Sequence, residues 1–222
     1  MDIRPIEFSI VVVANDCNPT ILNRDFLRDQ NIVPDEWGWS TSGPLITTPP
    51  YAVVNYDSGV SISVESNKFQ IVNGLNSGEL FINQLKHIAN KYIYTLPHVH
   101  YTGVGHNIKM FLDMDNAEEF LKSRFLQTGD WDNEAHPLST SSYKFTYPLE
   151  EGGITITIEG AKHIDTSGDE PKETAGIIVS GNYHRNCRDY PGVDVIVKNI
   201  GHAESDWNNF QDTMLSIIGN KK

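Results

Sequence analysis

The sequence predicts an α+β fold, in which antiparallel β-meanders carry helices packed on one face. Residues 60–65 and 154–159 alternate apolar and polar side chains, the period of a half-buried strand. Residues 78–94 and 193–219 instead place their apolar side chains at helical spacing. Together these segments order the chain as two β-β-β-α halves with a long C-terminal helix, which favours an antiparallel sheet covered by helices.

The length and composition are those of an ordinary globular protein. The chain has 222 residues, of which 39% are hydrophobic and 21% are charged. This length suits one α+β domain over residues 1–222 and is sufficient to bury a sizeable core. A second interpretation divides that domain into two pseudo-repeated halves, 1–126 and 141–222, joined by a polar connector at 127–140.

The N-terminal segment predicts a buried strand. Residues Phe8–Ala14 are almost all apolar and rich in β-branched side chains. They are too few to span a membrane and lack the basic flank of a signal peptide. Two cysteines, Cys17 and Cys187, are too few for a disulfide scaffold. We therefore expect reduced thiols and a cytoplasmic location.

The rest of the first half alternates turns with regular elements. Asp57-Ser58-Gly59 is typical of a hairpin turn, Pro97 ends a helix, and Gly103 and Gly105 predict a bulge or bend in the strand that contains them. The predicted elements are a helical turn near 23–28, a proline-rich non-helical segment at 43–50, strands at 51–56, 60–65 and 69–72, a helix at 78–94, a strand at 98–112 and a helix from 115–116 to about 126.

The second half repeats this order. Strands are predicted at 142–147, 154–158 and 175–184, with an exposed loop at 165–173. From Val193 to Ile217 the apolar residues recur at intervals of three and four, which predicts one long helix over 193–219 with a kink near Gly201. The alternation of Val193, Val195 and Val197 leaves a strand at 193–197 as the alternative.

The charge balance excludes some classes of partner. Seventeen Lys and Arg residues stand against 29 Asp and Glu residues, a formal net charge of −12. This balance works against the basic surface that binds nucleic-acid phosphates or anionic lipid, although it does not exclude a small local basic patch. No apolar run approaches the roughly 18 residues of a membrane span. The sequence therefore favours a protein partner, without direct nucleic-acid or membrane contact, and leaves the oligomeric state open.

Three histidines form the candidate metal site. His98 and His100 are two residues apart in a predicted strand and would therefore point to the same face. His184 is the candidate third ligand of a zinc or iron site. On this hypothesis the protein is a metal-dependent hydrolase, with Asp113 as a possible base. The alternative is that these are histidines with ordinary hydrogen bonds.

Other residues suggest an interface rather than catalysis. The sequence contains neither a Walker-type phosphate loop nor a Gly-x-Ser-x-Gly elbow, so we predict no catalytic residue and no cofactor. Aromatic residues on predicted loops are often interface anchors, although they can also close the end of a core. The candidates are Trp37, Trp39, Tyr51 and Trp131.

Three segments together carry a resemblance. Residues 18–37, 95–108 and 180–185 are similar to segments of uncharacterised bacterial proteins of a cyanobacterial type, for which no activity is established. The resemblance implies a bacterial cytoplasmic protein. With the acidic charge and the loop aromatics, it favours a non-catalytic protein-binding or assembly protein, such as an accessory subunit or a defence, immunity or toxin–antitoxin component. The other hypotheses are the metal-dependent hydrolase and a protein with a small-ligand pocket between sheet and helices.

Overall fold

The computed structural model describes residues 3–75, 78–127, 129–130, 132–165, 172–188 and 192–219. Within these residues nine strands form one antiparallel sheet in the order β2-β3-β4-β5-β1-β6-β9-β8-β7. The strands are β1 (Ile3–Asn15), β2 (Thr41–Thr47), β3 (Tyr51–Tyr56), β4 (Val60–Glu65), β5 (Lys68–Gly74), β6 (His100–Asp113), β7 (Ser142–Leu149), β8 (Gly152–Asp165) and β9 (Lys172–Asn186).

The helices lie on one face of this sheet, which confirms the predicted α+β fold. They are α1 (Arg24–Asp29), α2 (Ile82–Thr95), α3 (Ala117–Phe125), α4 (Val193–Ile200) and α5 (Ala203–Ile218). The ring of Tyr92 in α2 stacks on Phe69 of β5 at 3.8 Å, and Trp207 of α5 meets Phe8 of β1 edge-on at 5.8 Å. The strand register places Phe8 and Phe69 on the same face, which we name the helix face; the other is the open face.

The short helix α1 follows from its cap. The Asn23 side chain accepts a hydrogen bond from the Phe26 backbone N–H at 2.9 Å, as expected of an N-cap. Leu27 is then buried, and the ring of Phe26 contacts Tyr92 of α2. The helical turn predicted at 23–28 is confirmed.

The predicted irregularity of β6 lies beside the glycines rather than at them. The register between β1 and β6 shifts between Val13 and Ala14, so that Thr102 has no pairing residue in β1. Pairing is then regular from Gly103 to Lys109, and a second shift follows between Pro5 and Glu7. Gly103 is needed for a different reason. A Cβ atom there would lie 3.0 Å from the Arg185 carbonyl oxygen and 3.2 Å from the His184 ring.

Strand β2 was not predicted, because Pro44 lies in its middle. Proline is tolerated at the edge of a sheet and at irregularities, where its missing N–H breaks no ladder. β2 is an edge strand, and its register with β3 shifts between Ser42 and Ile46, with Gly43 at a φ of +69°. The prediction of a non-helical segment at 43–50 is confirmed, and the strand within it is an addition.

The C-terminal helix runs from Val193 to Ile218 in two segments. It breaks at Gly201 and His202, where the predicted kink lies, and resumes with the Asp206 N–H donating to the His202 carbonyl at 2.8 Å. The strand alternative at 193–197 is wrong. The apolar seam continues across the break, with buried side chains at Ile196, Ile200, Ala203, Trp207, Phe210 and Met214.

The strand pairing crosses the predicted polar connector. β6 lies before residues 127–140 and β9 lies after them, yet the two pair over eleven positions of the sheet. β1 and β6 form the centre of the sheet, with four strands on one side and three on the other. The division into halves 1–126 and 141–222 stays a prediction. Among the described helices, none is long and apolar enough to cross a membrane.

Candidate functional site

The three predicted metal ligands are not brought together. His98 lies in a turn before β6, so the argument that it shares a strand face with His100 is wrong. His184 is opposite Gly105, five residues from His100 along β6, or about 16 Å at about 3.3 Å per residue. In the described part of the chain no group of three His, Cys, Asp or Glu residues could hold a metal ion.

The remaining groups of that hypothesis have other partners. Asn15 Nδ2 donates to His100 Nδ1 at 3.4 Å. The possible base, Asp113, is at the opposite end of β6 and pairs with Arg4 at 3.4 Å. None of these contacts supports a hydrolytic centre.

The loop aromatics lie on two different faces. Trp37 and Trp39 are half-buried and 4.9 Å apart, and they pack on the helix face against His87, Phe81 and Tyr56. They close one end of the core. Tyr51 belongs by register to the open face and is 36% exposed. Trp131 lies outside the described residues.

A buried polar cluster joins the centre of the sheet to α5. His106 Nδ1 lies 2.6 Å from Asp206 Oδ2, and the Arg185 guanidinium donates to both Asp206 oxygens at 2.6 and 2.7 Å. The exposed fractions of the three side chains are 0%, 6% and 12% for His106, Asp206 and Arg185. We name these three residues the buried anchor, because they connect β6 and β9 to the first turns of α5.

The electrostatics of the buried anchor fix its charge state. Burial lowers the pKa of His106, and the nearby Arg185 guanidinium lowers it further, although Asp206 opposes both effects. Burial by itself raises the pKa of Asp206, but hydrogen bonds from His106 and Arg185 hold that pKa below its usual value. A neutral imidazole therefore donates through Nδ1 to a carboxylate whose charge Arg185 neutralises.

This cluster is suited to anchoring rather than to catalysis. His106 Nε2 is buried and has no hydrogen-bond partner among the described residues. The Phe8 ring stacks beside the imidazole at 6.3 Å, and the fully buried imidazole offers no route to a substrate. Sequence reasoning did not connect His106 with Asp206. The available signal was a carboxylate next to Trp207 in the apolar seam, where an unpaired charge would be costly.

Exposed apolar side chains identify β2, rather than the buried anchor, as a candidate binding surface. Every residue of β2 is exposed, and Leu45 and Ile46 are 55% and 41% exposed. We name residues 41–51 the β2 arm. No Asp, Glu, Lys, Arg or His occurs from Trp37 to Tyr56, in a chain with 46 residues of the four charged types.

The β2 arm is held in place at its base. Thr47 Oγ1 donates to the Leu22 carbonyl at 3.2 Å, and Thr48 Oγ1 donates to the Tyr51 carbonyl at 2.6 Å. At the other end, the Ser40 N–H donates to the Asp57 side chain at 3.0 Å. These bonds preorganise an exposed strand whose outer edge has no neighbouring strand in the described sheet.

Comparison with known proteins adds no family. No protein-family model matches the chain, and no curated protein matches it.

Proposed function

We propose that the protein is a non-catalytic binding protein, an acidic accessory subunit of a bacterial complex that takes a protein partner on the β2 arm. The observation that carries this proposal is the arm itself, an exposed edge strand with apolar side chains and no charge. The resemblance of the chain to cyanobacterial-type proteins is what supports a bacterial setting.

An edge strand binds a partner strand through its free backbone groups. The added strand gains main-chain hydrogen bonds, and side chains such as Leu45 and Ile46 supply apolar contact. Pro44 and the register shift between Ser42 and Ile46 prevent a long regular ladder. Such interruptions are the usual protection against uncontrolled edge-to-edge association. The regular part at 46–48 is therefore the segment expected to pair with a selected partner.

The absence of charge in the β2 arm determines how the complex should respond to salt. A contact made by the acidic surface would weaken at high ionic strength, because counterions screen exposed charges. A contact made by residues 37–56 has no charge of this chain to screen. The partner should therefore remain bound at about 1 M salt, where the Debye length is about 3 Å.

The test compares two matched substitutions on exposed isoleucines. Ile46→Lys places a charge in the arm, whereas Ile164→Lys places the same charge on β8, at a residue that is 58% exposed. Each tagged full-length chain is expressed in the native host, purified at low and high salt, and examined by mass spectrometry and light scattering.

We expect a stoichiometric partner with the wild type and with Ile164→Lys, retained at high salt, and its loss with Ile46→Lys. Identical co-purification in all three would remove the β2 arm as the docking site. A chain that elutes alone in every case would contradict the binding function. A dimer that depends on Ile46 would identify the partner strand as that of a second copy.

A further inference from the structure

The centre of the open face contains a small cavity with an unusual lining. It has a volume of about 250 Å³ and lies over β5, β1, β6, β9 and β8. The strand register identifies the side chains that face it, and every one of them is polar. They are Glu7, Ser9, Gln70, Asn107, Lys109, Thr155, Thr157, Ser180 and Asn182.

A chain of hydrogen bonds orders the floor of this cavity. Asn182 Nδ2 donates to Asn107 Oδ1 at 2.5 Å, and Asn107 Nδ2 donates to Ser9 Oγ at 3.2 Å. This row of hydrogen bonds crosses β9, β6 and β1. Ser9 at its end is fully buried, although it belongs to the open face. The two amides are therefore fixed in orientation before any ligand arrives.

The side chains that form these hydrogen bonds keep much of their hydrogen-bonding capacity unused. A carboxamide has two N–H donors and an acceptor oxygen, and a hydroxyl group both donates and accepts. Asn182 retains its oxygen and one N–H, and Asn107 retains one N–H, whereas the O–H of Ser9 is fully buried. Within the described residues, the side chains of Thr155, Thr157 and Ser180 make no hydrogen bond. The cavity therefore presents donors and acceptors side by side.

The cavity is electrically neutral in a strongly acidic chain. Among the described residues that line it, the charged side chains are Glu7 and Lys109, which pair with each other at 3.2 Å. An anionic ligand would have to compete with Glu7 for the single lysine, and a cationic ligand would have to compete with Lys109. A neutral ligand displaces neither, so its binding costs no separation of charge.

We propose that this cavity binds a neutral polyhydroxylated ligand, a single sugar ring that presents a vicinal diol, either free or as one unit of a glycan. Adjacent hydroxyls match the adjacent acceptor and donors of Asn182 and Asn107, because each hydroxyl can both give and receive a hydrogen bond. A volume of about 250 Å³ is just below that of typical ligand pockets, and limits the occupant to about one ring.

The experiment measures sugar binding by the full-length chain. Ligand-observed NMR and calorimetry are run with neutral monosaccharides that cover the axial and equatorial hydroxyl arrangements, and with their oligosaccharides. The variants are Asn107→Leu, which removes the central amide, and Thr155→Val, which removes one hydroxyl at nearly constant shape. Asn55→Leu is the matched control, since Asn55 is on the open face of β3 outside the cavity.

We expect saturable binding of at least one sugar, weakened about tenfold or more by Asn107→Leu and less by Thr155→Val, and unchanged in Asn55→Leu. Because Thr155→Val leaves the hydrogen-bonded amides intact, it tests the site even if Asn107→Leu fails to fold. Binding of the monosaccharide itself would identify a free sugar as the ligand. Binding of the oligosaccharides alone would identify the ligand as one unit of a glycan. If no sugar of the panel binds the wild type, or if Asn55→Leu weakens binding as much as the cavity variants do, the proposal is overturned.

Discussion

Replacement of Asp206 by alanine should be among the most destabilising single substitutions in this protein. It would leave the Arg185 guanidinium and His106 Nδ1 without their shared acceptor, in a site where the side chains are 12% and 0% exposed. Breaking a buried ion pair from one side costs about 3–5 kcal/mol, because the remaining charge stays desolvated. For a chain of this length each kcal/mol lowers the melting temperature by about 2–4 °C, so the expected decrease is about 6–20 °C.

The melting temperature is measured by thermal unfolding, and the free energy of unfolding by urea unfolding, both followed by circular dichroism at about pH 7.5, with the urea midpoint and slope fitted separately. Asp212→Ala is the matched control, because Asp212 is exposed on the same helix α5. The double variant Arg185→Met with Asp206→Leu removes both charges, and should cost less than the sum of its single variants. If Asp206→Ala lowers the free energy of unfolding no more than Asp212→Ala does, the buried anchor does not hold α5 to the sheet.

Two further predictions concern the same helix–sheet contact. Because burial lowers the pKa of His106 in the folded chain, the unfolded chain binds a proton first as the pH falls, and the free energy of unfolding should decrease below about pH 6.5. Urea unfolding between about pH 8 and pH 5 measures this slope, which His106→Gln should reduce; an equal slope in both proteins would mean that other groups cause it. Gly181→Ala would place a Cβ 2.5 Å from the Phe210 ring and should cost about 1–3 kcal/mol. In the control variant Gly105→Ala, the added Cβ would have its nearest neighbour at 3.9 Å, so the free energy of unfolding should hardly change. Equal urea midpoints for the two alanine variants would contradict the packing argument.

The regular elements were predictable because their signals are local. The alternation at Val60–Glu65 and the helical spacing at 78–94 each lie within one element, and both are confirmed as β4 and α2. Strand β2 was missed for a physical reason. Its proline argues against a ladder, and only its position at the sheet edge, which is a property of the whole topology, makes that proline acceptable.

The polar clusters depend on strand register, which the sequence does not display. Asp206 and His106 are 100 residues apart, and they meet only because α5 crosses the sheet above the pairing of β6 with β9. The row of Asn182, Asn107 and Ser9 likewise requires three strands to align, and a shift of one residue would turn any of these side chains to the other face. Pairs of this kind become visible only when the fold is known.

The two proposed sites are independent, because they lie several strands apart in the same sheet. The β2 arm lies four strands away from β1, the strand that contains Ser9. At about 4.8 Å between neighbouring strands, the distance from β2 to β1 is about 19 Å. Substitutions that far apart, with no shared partner, act independently to within about 0.5 kcal/mol. Ile46→Lys should therefore abolish partner binding without changing sugar affinity, and Asn107→Leu should weaken sugar binding without changing partner binding. A variant of either site that altered both activities would mean that the partner extends across the open face as far as the cavity, and that the cavity lies within the interface rather than beside it.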